Sequence, residues 1–309
     1  MKNIKNPIII SGMPRTGTTP LGHILSSIDD FSMIYEPFNV NQGVSSIEFN
    51  YPFPNKNIST KKFDKIFKDL IAFESRFKKG INTNDSLILK IFKQLVGNES
   101  SISFYKSKFL NKKNIVVKDP FLVFATKELS SKYKIIFCER PIKPLSASFK
   151  RMKWNFKEYE KLAIYFNHER LKAKNYKSSK NVSSYVVGAI QFYELVSIYR
   201  KGIISNDNIF FFSQDKFAKN SHNEIEKLFS WLNIEFTSDL RKKVNLLSNK
   251  FSKSIIPKES VQHDLNYNKS FSNEYHSEVL TMEENELIDS FCSGGEIWTP
   301  DLRIMIPLL

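Results

Sequence analysis

PIIISGMPRTGTTPLGHILSS, residues 7–27, decides the fold. Pro7 to Ile10 is an apolar, β-branched run too short for a helix and suited to a buried parallel strand. Leu21, Ile24, Leu25 and Ile28 then recur at helical spacing. Between them Gly12 and Gly17 allow backbone conformations that other residues resist, so successive N–H groups can converge on an anion. The helix that begins near Gly17 adds its positive N-terminal end. Strand, glycine loop and helix together predict a phosphate-binding turn at the edge of an α/β sheet.

Working outward, four more short apolar runs read as strands: Phe31 to Tyr35, Ile115 to Val117, Lys134 to Glu139 and Ile209 to Phe212. Helical periods fall at Phe63 to Phe77, Leu87 to Leu95, Lys143 to Lys174, Ser183 to Lys201, Asn223 to Leu232 and Ser238 to Leu247. The alternation predicts one α/β domain over residues 1–309, a three-layer P-loop-type fold whose central parallel sheet is flanked by helices. Residues 39–113 depart from it and read as a helical insertion that shapes a binding pocket. Ser248 to Tyr275 is polar and irregular, and reads as a long mobile loop.

The loop keeps the G-x-x-x-x-G spacing of nucleoside triphosphatases, yet Thr18 stands where they carry Lys, and Thr19 follows. Arg15 within the loop offers a guanidinium fork in its place. A second constellation is RPIKPLSASFKRM, residues 140–152: Arg140 leaves a buried strand, Pro144 is placed to start a helix, and Ser148 lies eight residues after Arg140. In these two stretches, and in the packing residues of 208–236, the chain resembles the sulfotransferase family, which uses 3′-phosphoadenosine-5′-phosphosulfate (PAPS).

The resemblance implies that Gly12, Arg15, Thr16, Gly17, Thr18 and Thr19 hold the 5′-phosphosulfate. It likewise implies that Arg140 and Ser148 bind the 3′-phosphate, with Ser146, Lys150 and Arg151 as helpers. Lys250, Lys253 and Lys258 stand where the family closes a basic loop. Sulfuryl transfer needs a base for the acceptor proton and cations for charge on the leaving phosphate, and requires no metal. Arg15 and Lys118, at the end of its strand, are the candidate cations. Cytosolic members place a His shortly after such a Lys; here Asp119 and Pro120 follow. Carbohydrate-directed members use a Glu after the first helix, and Glu36 stands there, presented by Pro37 at a strand end.

Glu36 therefore reads as the general base, or as a structural carboxylate paired with a local cation such as Arg15. Asp119 reads as a magnesium ligand or a helix cap. The implied acceptor bears a hydroxyl, as on a carbohydrate or glycolipid. The alternative is a P-loop kinase of nucleosides or small molecules, which would require a Lys at position 18 and a magnesium ligand.

Lys and Arg total 46 against 32 Asp and Glu, a net charge of +14 that favours anionic ligands. The basic residues are scattered along the chain and not interleaved with aromatics in a patch, which argues against nucleic acid as the partner. Two cysteines exclude a disulfide framework or a cysteine-rich metal site, and five histidines lack metal-ligand spacing. No apolar run reaches membrane-spanning length, and the start of the chain has no room for a signal segment, so the expected location is cytoplasmic.

Overall fold

The computed structural model describes residues 7–81, 85–248 and 274–293. The strands are β1 (Pro7–Gly12), β2 (Phe31–Tyr35), β3 (Asn114–Lys118), β4 (Lys134–Glu139) and β5 (Ile209–Ser213), each where an apolar run predicts one. They form a parallel sheet in the order β2-β3-β1-β4-β5, flanked by helices. Ile9, Ile10, Ile115, Val116, Val117, Ile135 and Ile136 are fully buried in it. Such runs, covered on both faces, are the signature of a parallel sheet. The order reverses direction at β1, so the loop after β1 lies at a topological switch point, the place where open α/β sheets take ligands.

The chain divides into two compact units, one of Met1–Cys138 with Ser205–Phe211 and one of Glu139–Ile204 with Phe212–Leu309. In the first, α1 (Thr18–Ser26) packs on β1, β2 and β3 through Leu21, Ile24 and Leu25. The 39–113 stretch holds α2 (Thr60–Ile71), α3 (Leu87–Leu95) and α4 (Glu99–Leu110). The helical period expected to run to Phe77 stops at Ile71, because Phe73 turns left-handed with φ 58°.

Helix α4 was not legible from hydrophobic spacing, since it turns serines inward. Ser103 Oγ accepts from Tyr35 N–H (2.8 Å), while Ser100 and Ser107 Oγ donate to the Glu36 and Met33 carbonyls (3.2 and 3.0 Å). β2 is an edge strand, and these three hydroxyls satisfy backbone groups that a neighbouring strand would otherwise take.

A 3₁₀ helix over Pro120–Ala125 and a short α5 (Thr126–Ser130) lead into β4. In the second unit, α6 (Ile142–Met152) packs on α8 (Ser184–Lys201). The helical span expected from Lys143 to Lys174 is broken. Lys153 is left-handed (φ 54°), and its N–H and that of Trp154 close the helix end onto Lys150 and Phe149 carbonyls. Beyond it Phe156 stacks on Phe192 with ring centroids 4.1 Å apart, followed only by α7 (Tyr159–Ala163) and two 3₁₀ turns.

The remaining helices are α9 (Gln214–Lys219), α10 (Ser221–Leu232), α11 (Ser238–Ser248), α12 (His276–Val279) and α13 (Met282–Cys292). Most of the loop expected at 248–275, with Lys250, Lys253 and Lys258, lies outside the described residues. Among the described residues no helix is long and apolar enough to cross a membrane.

Candidate active site

Pairing register places the site residues of the first unit along one sheet edge. Ile10 of β1 pairs with Lys118 of β3, which pairs with Tyr35 of β2. One residue further on come Ser11, Asp119 and Glu36, and Gly12 follows Ser11. The Gly12–Thr19 loop, Lys118 and Glu36 thus share the carboxyl edge that the sequence predicts.

The loop has the backbone of an anion cradle. Gly12 has φ 137° and Gly17 has φ 90°, and Arg15 also holds a left-handed φ of 71°. Thr16 steadies the turn by donating its hydroxyl to Met13 O at 2.7 Å. α1 starts at Thr18 with Gly17 as its cap residue, which has no side chain to cap the helix. An uncapped helix start directly after a glycine loop suits a phosphate or phosphosulfate group.

Glu36 and Lys118 are brought together although they lie far apart in sequence. Lys118 Nζ donates to Glu36 Oε1 at 2.6 Å and stands over the Tyr35 ring, 4.2 Å from its centroid. Lys118 is 2% exposed and Glu36 7%. The other carboxylate oxygen of Glu36, Oε2, accepts a long contact from Asn39 Nδ2 at 3.4 Å. Glu36 has φ 43°, a conformation that costs a non-glycine residue about 1–3 kcal/mol and concentrates at functional sites. Its N–H is fixed to the Lys118 carbonyl at 2.8 Å, so backbone and side chain are both tied to β3. Burial foremost, then the charge of Glu36, pushes the Tyr35 hydroxyl pKa up.

Asp119 takes the helix-cap alternative. Its two oxygens accept from Phe121 N–H (2.8 Å) and Phe38 N–H (2.5 Å), and the side chain is fully buried. Burial, then the negative charge of Glu36, outweighs these N–H groups and Lys118, and raises its pKa to about 8. The folded state therefore holds a proton that the unfolded chain releases near the ordinary value of 3.8. The stability contributed by this group is full below about pH 4 and is lost as pH rises through about 8. Asp119→Ala is expected to cost about 2–4 kcal/mol, because it leaves two buried N–H groups without acceptors, and to remove this pH dependence. A denaturant midpoint unchanged from wild type at pH 6 would contradict the capping role.

One acidic neighbour escaped the sequence reading. Glu99 opens α4, whose next residue, Ser100, is bonded to the Glu36 carbonyl. Partial burial of its carboxyl first, then Glu36, pushes the Glu99 pKa up, and Lys118 pulls the other way. The available signal was the reciprocal cap of Asn98 and Ser101, which marks a helix start at this position.

The second unit carries the other predicted cradle. Arg140 directly follows β4 and Ser148 lies within α6; they are 5% and 0% exposed. Glu139 before them is bonded to Arg200 of α8, and burial raises its pKa to about 7 against the pull of that guanidinium. This pair anchors the end of β4 to α8. Lys150, a candidate helper, instead bonds Glu284 at 2.6 Å and the Val279 carbonyl. Ser146 Oγ is buried with no hydrogen-bond partner.

Comparison with known proteins gives a family. The sequence pattern described as the sulfotransferase domain matches residues 5–294. Comparison with curated proteins returns no match. Among solved structures the chain is similar to a mouse sulfotransferase complexed with PAP, at 13% identity and TM-score 0.43, over 94% of this chain and 83% of that one. It is also similar to a sulfotransferase from Mycobacterium avium, at 12% and 0.43, over 96% and 78%. A third is the sulfotransferase domain of a Synechococcus PCC 7002 olefin synthase, at 12% and 0.43, over 94% and 98%. The family match leaves out only the first four and the last fifteen residues, and the chain belongs to the sulfotransferase family.

Proposed function

We propose that the protein moves a sulfuryl group from PAPS to a hydroxyl of an acceptor such as a carbohydrate or glycolipid, as a single catalytic domain in which residues 39–113 shape the acceptor pocket. The observation that carries this reading is the loop itself. It has the backbone of a phosphate cradle, yet its helix starts at Thr18 without the Lys a triphosphatase needs, and Arg15 stands within the loop with a left-handed backbone. The family match does not favour the kinase alternative, and Asp119 spends both carboxylate oxygens on backbone N–H groups.

In the proposed reaction the acceptor oxygen attacks sulfur in line with the bond to the 5′-phosphate. That bond breaks, and the leaving adenosine 3′,5′-bisphosphate carries the electron pair away. Glu36 takes the acceptor proton on Oε2, while Lys118 holds Oε1. Arg15 and the N–H groups of the loop and helix start meet charge on the 5′-phosphate, with Lys118 as the second cation. Arg140 and Ser148 take the 3′-phosphate of the same nucleotide. Their support is the spacing, an Arg directly after β4 and a Ser eight residues on within α6. With only two cysteines, both free, a reducing compartment such as the cytoplasm suits the protein.

Arg15→Ala and Arg140→Ala test the nucleotide assignment. Each removes a charge-assisted contact worth about 1.5–3 kcal/mol, a weakening of about 10- to 150-fold in calorimetric titration with adenosine 3′,5′-bisphosphate. Undiminished affinity in either variant removes that residue from the site.

A further inference from the structure

Exposed apolar surface is concentrated in one short part of the first unit. Among the described residues, twelve of the sixteen exposed large hydrophobic side chains fall between Ile81 and Leu110. Helix α3 is the extreme case, since none of its nine residues is buried. Ile88 is 81% exposed, Leu95 77% and Leu87 74%. A helix of that length is marginal in water unless tertiary packing covers its apolar side, and among the described residues none of its side chains is buried.

Helix α4 continues the pattern in inverted form. Its serines face β2, and Ile102, Tyr105 and Phe109, at i, i+3 and i+7, point to solvent, with Phe109 at 89%. Twelve exposed large apolar side chains within thirty residues of chain mark an interaction site.

Charge selects the occupant. Although the lysines read as scattered along the chain, residues 78–113 hold eight of them against two acids, Asp85 and Glu99. Asp85 is already paired with Lys93 at 2.8 Å. A second copy of this chain would bring like charges together across the contact. A bilayer with acidic headgroups complements the lysines and accepts Leu, Ile and Phe at the acyl boundary.

We propose that the exposed apolar sides of α3 and α4 dock on an anionic lipid surface. The apolar side chains enter the headgroup–acyl boundary, and lysines such as Lys106 and Lys113 meet the headgroups. The proposal does not depend on the transfer chemistry and is tested without it.

The test is flotation of the full chain with vesicles of phosphatidylcholine alone or with about a third phosphatidylglycerol. The variant carries Ile88→Gln, Phe92→Gln, Leu95→Gln and Phe109→Ser together. All four positions are exposed, so the fold should be retained, as an unchanged circular dichroism spectrum and melting temperature would show, and every lysine remains. Wild type is expected to float with the acidic vesicles, and the variant to bind at least about tenfold more weakly, because partitioning scales with buried apolar area.

Three results would overturn the proposal. One is no binding of wild type to the acidic vesicles. Another is equal binding of wild type and variant, which would mean adsorption by charge alone. The third is a concentration-dependent dimer, seen by sedimentation in wild type and lost in the variant, which would make a second copy the occupant. Should the variant misfold, the single change Phe109→Ser, at the most exposed of these side chains, must still weaken flotation.

Discussion

Glu36→Gln is expected to lower kcat about 10²- to 10⁴-fold, the usual worth of a positioned general base, and to leave affinity for adenosine 3′,5′-bisphosphate within about twofold of wild type. Gln has the shape of Glu, and its amide oxygen can still accept from Lys118 Nζ, so the contact seen at 2.6 Å need not be lost. What Gln cannot do is take a proton from an acceptor hydroxyl.

The split between turnover and binding separates this role from a structural one. A carboxylate needed only to neutralise Lys118 would show its loss in the melting temperature and in nucleotide affinity together. Lys118→Met makes the complementary change. It strands a buried carboxylate, and breaking a buried pair from one side costs about 3–5 kcal/mol. Wild-type turnover in Glu36→Gln would place the base elsewhere, and Glu99 would be the next carboxylate to examine.

Gly12→Ala carries the second large effect. A Cβ built at Gly12 falls 2.3 Å from the carbonyl oxygen of Cys138 and 3.1 Å from its carbonyl carbon and amide nitrogen. Those atoms are backbone of β4, paired in register with Gly12 itself, so no side chain can move aside. The φ of 137° adds strain that a residue with a Cβ does not accept. Overpacking and backbone strain, each about 1–3 kcal/mol, predict a loss of about 2–6 kcal/mol. The loop that follows would also shift, so bisphosphate binding should fall even in protein that still folds.

Gly202→Ala serves as the control. The nearest atom to its added Cβ is the Tyr199 carbonyl oxygen at 3.4 Å, and its φ of −78° is ordinary. Equal melting temperatures for the two variants would contradict the close approach of β1 and β4 at this point.

How much of this was legible in the sequence follows from the range of each interaction. The strands and the glycine loop are local: β-branched runs, two glycines and a helix start all announce themselves within twenty residues. The loop at 12–19 therefore has the backbone expected of it, down to the left-handed Gly17. The Glu36–Lys118 pair is different. Glu36 could be read as a strand-end carboxylate paired with a local cation such as Arg15, but the cation bonded to it is Lys118, and that identity depends on which strands are neighbours. That β3 lies between β1 and β2 is a property of the sheet, not of any short window.

Helix α4 was hidden for another reason. A pattern reading assumes that apolar residues face inward, and here Ser100, Ser103 and Ser107 do so because an edge strand needs hydrogen bonds more than hydrophobic cover. Consequently Glu99 was missed along with the helix it opens. The break after Met152 was missed because Lys153, with no glycine to mark it, adopts the left-handed turn.

The most direct measurement is calorimetric titration of the wild-type protein with adenosine 3′,5′-bisphosphate in the absence of magnesium, beside a titration with ATP and magnesium. Saturable one-to-one binding of the bisphosphate, unaffected by a metal chelator and much tighter than that of ATP, is the predicted result. No binding of the bisphosphate together with magnesium-dependent binding of ATP would contradict the account at its root.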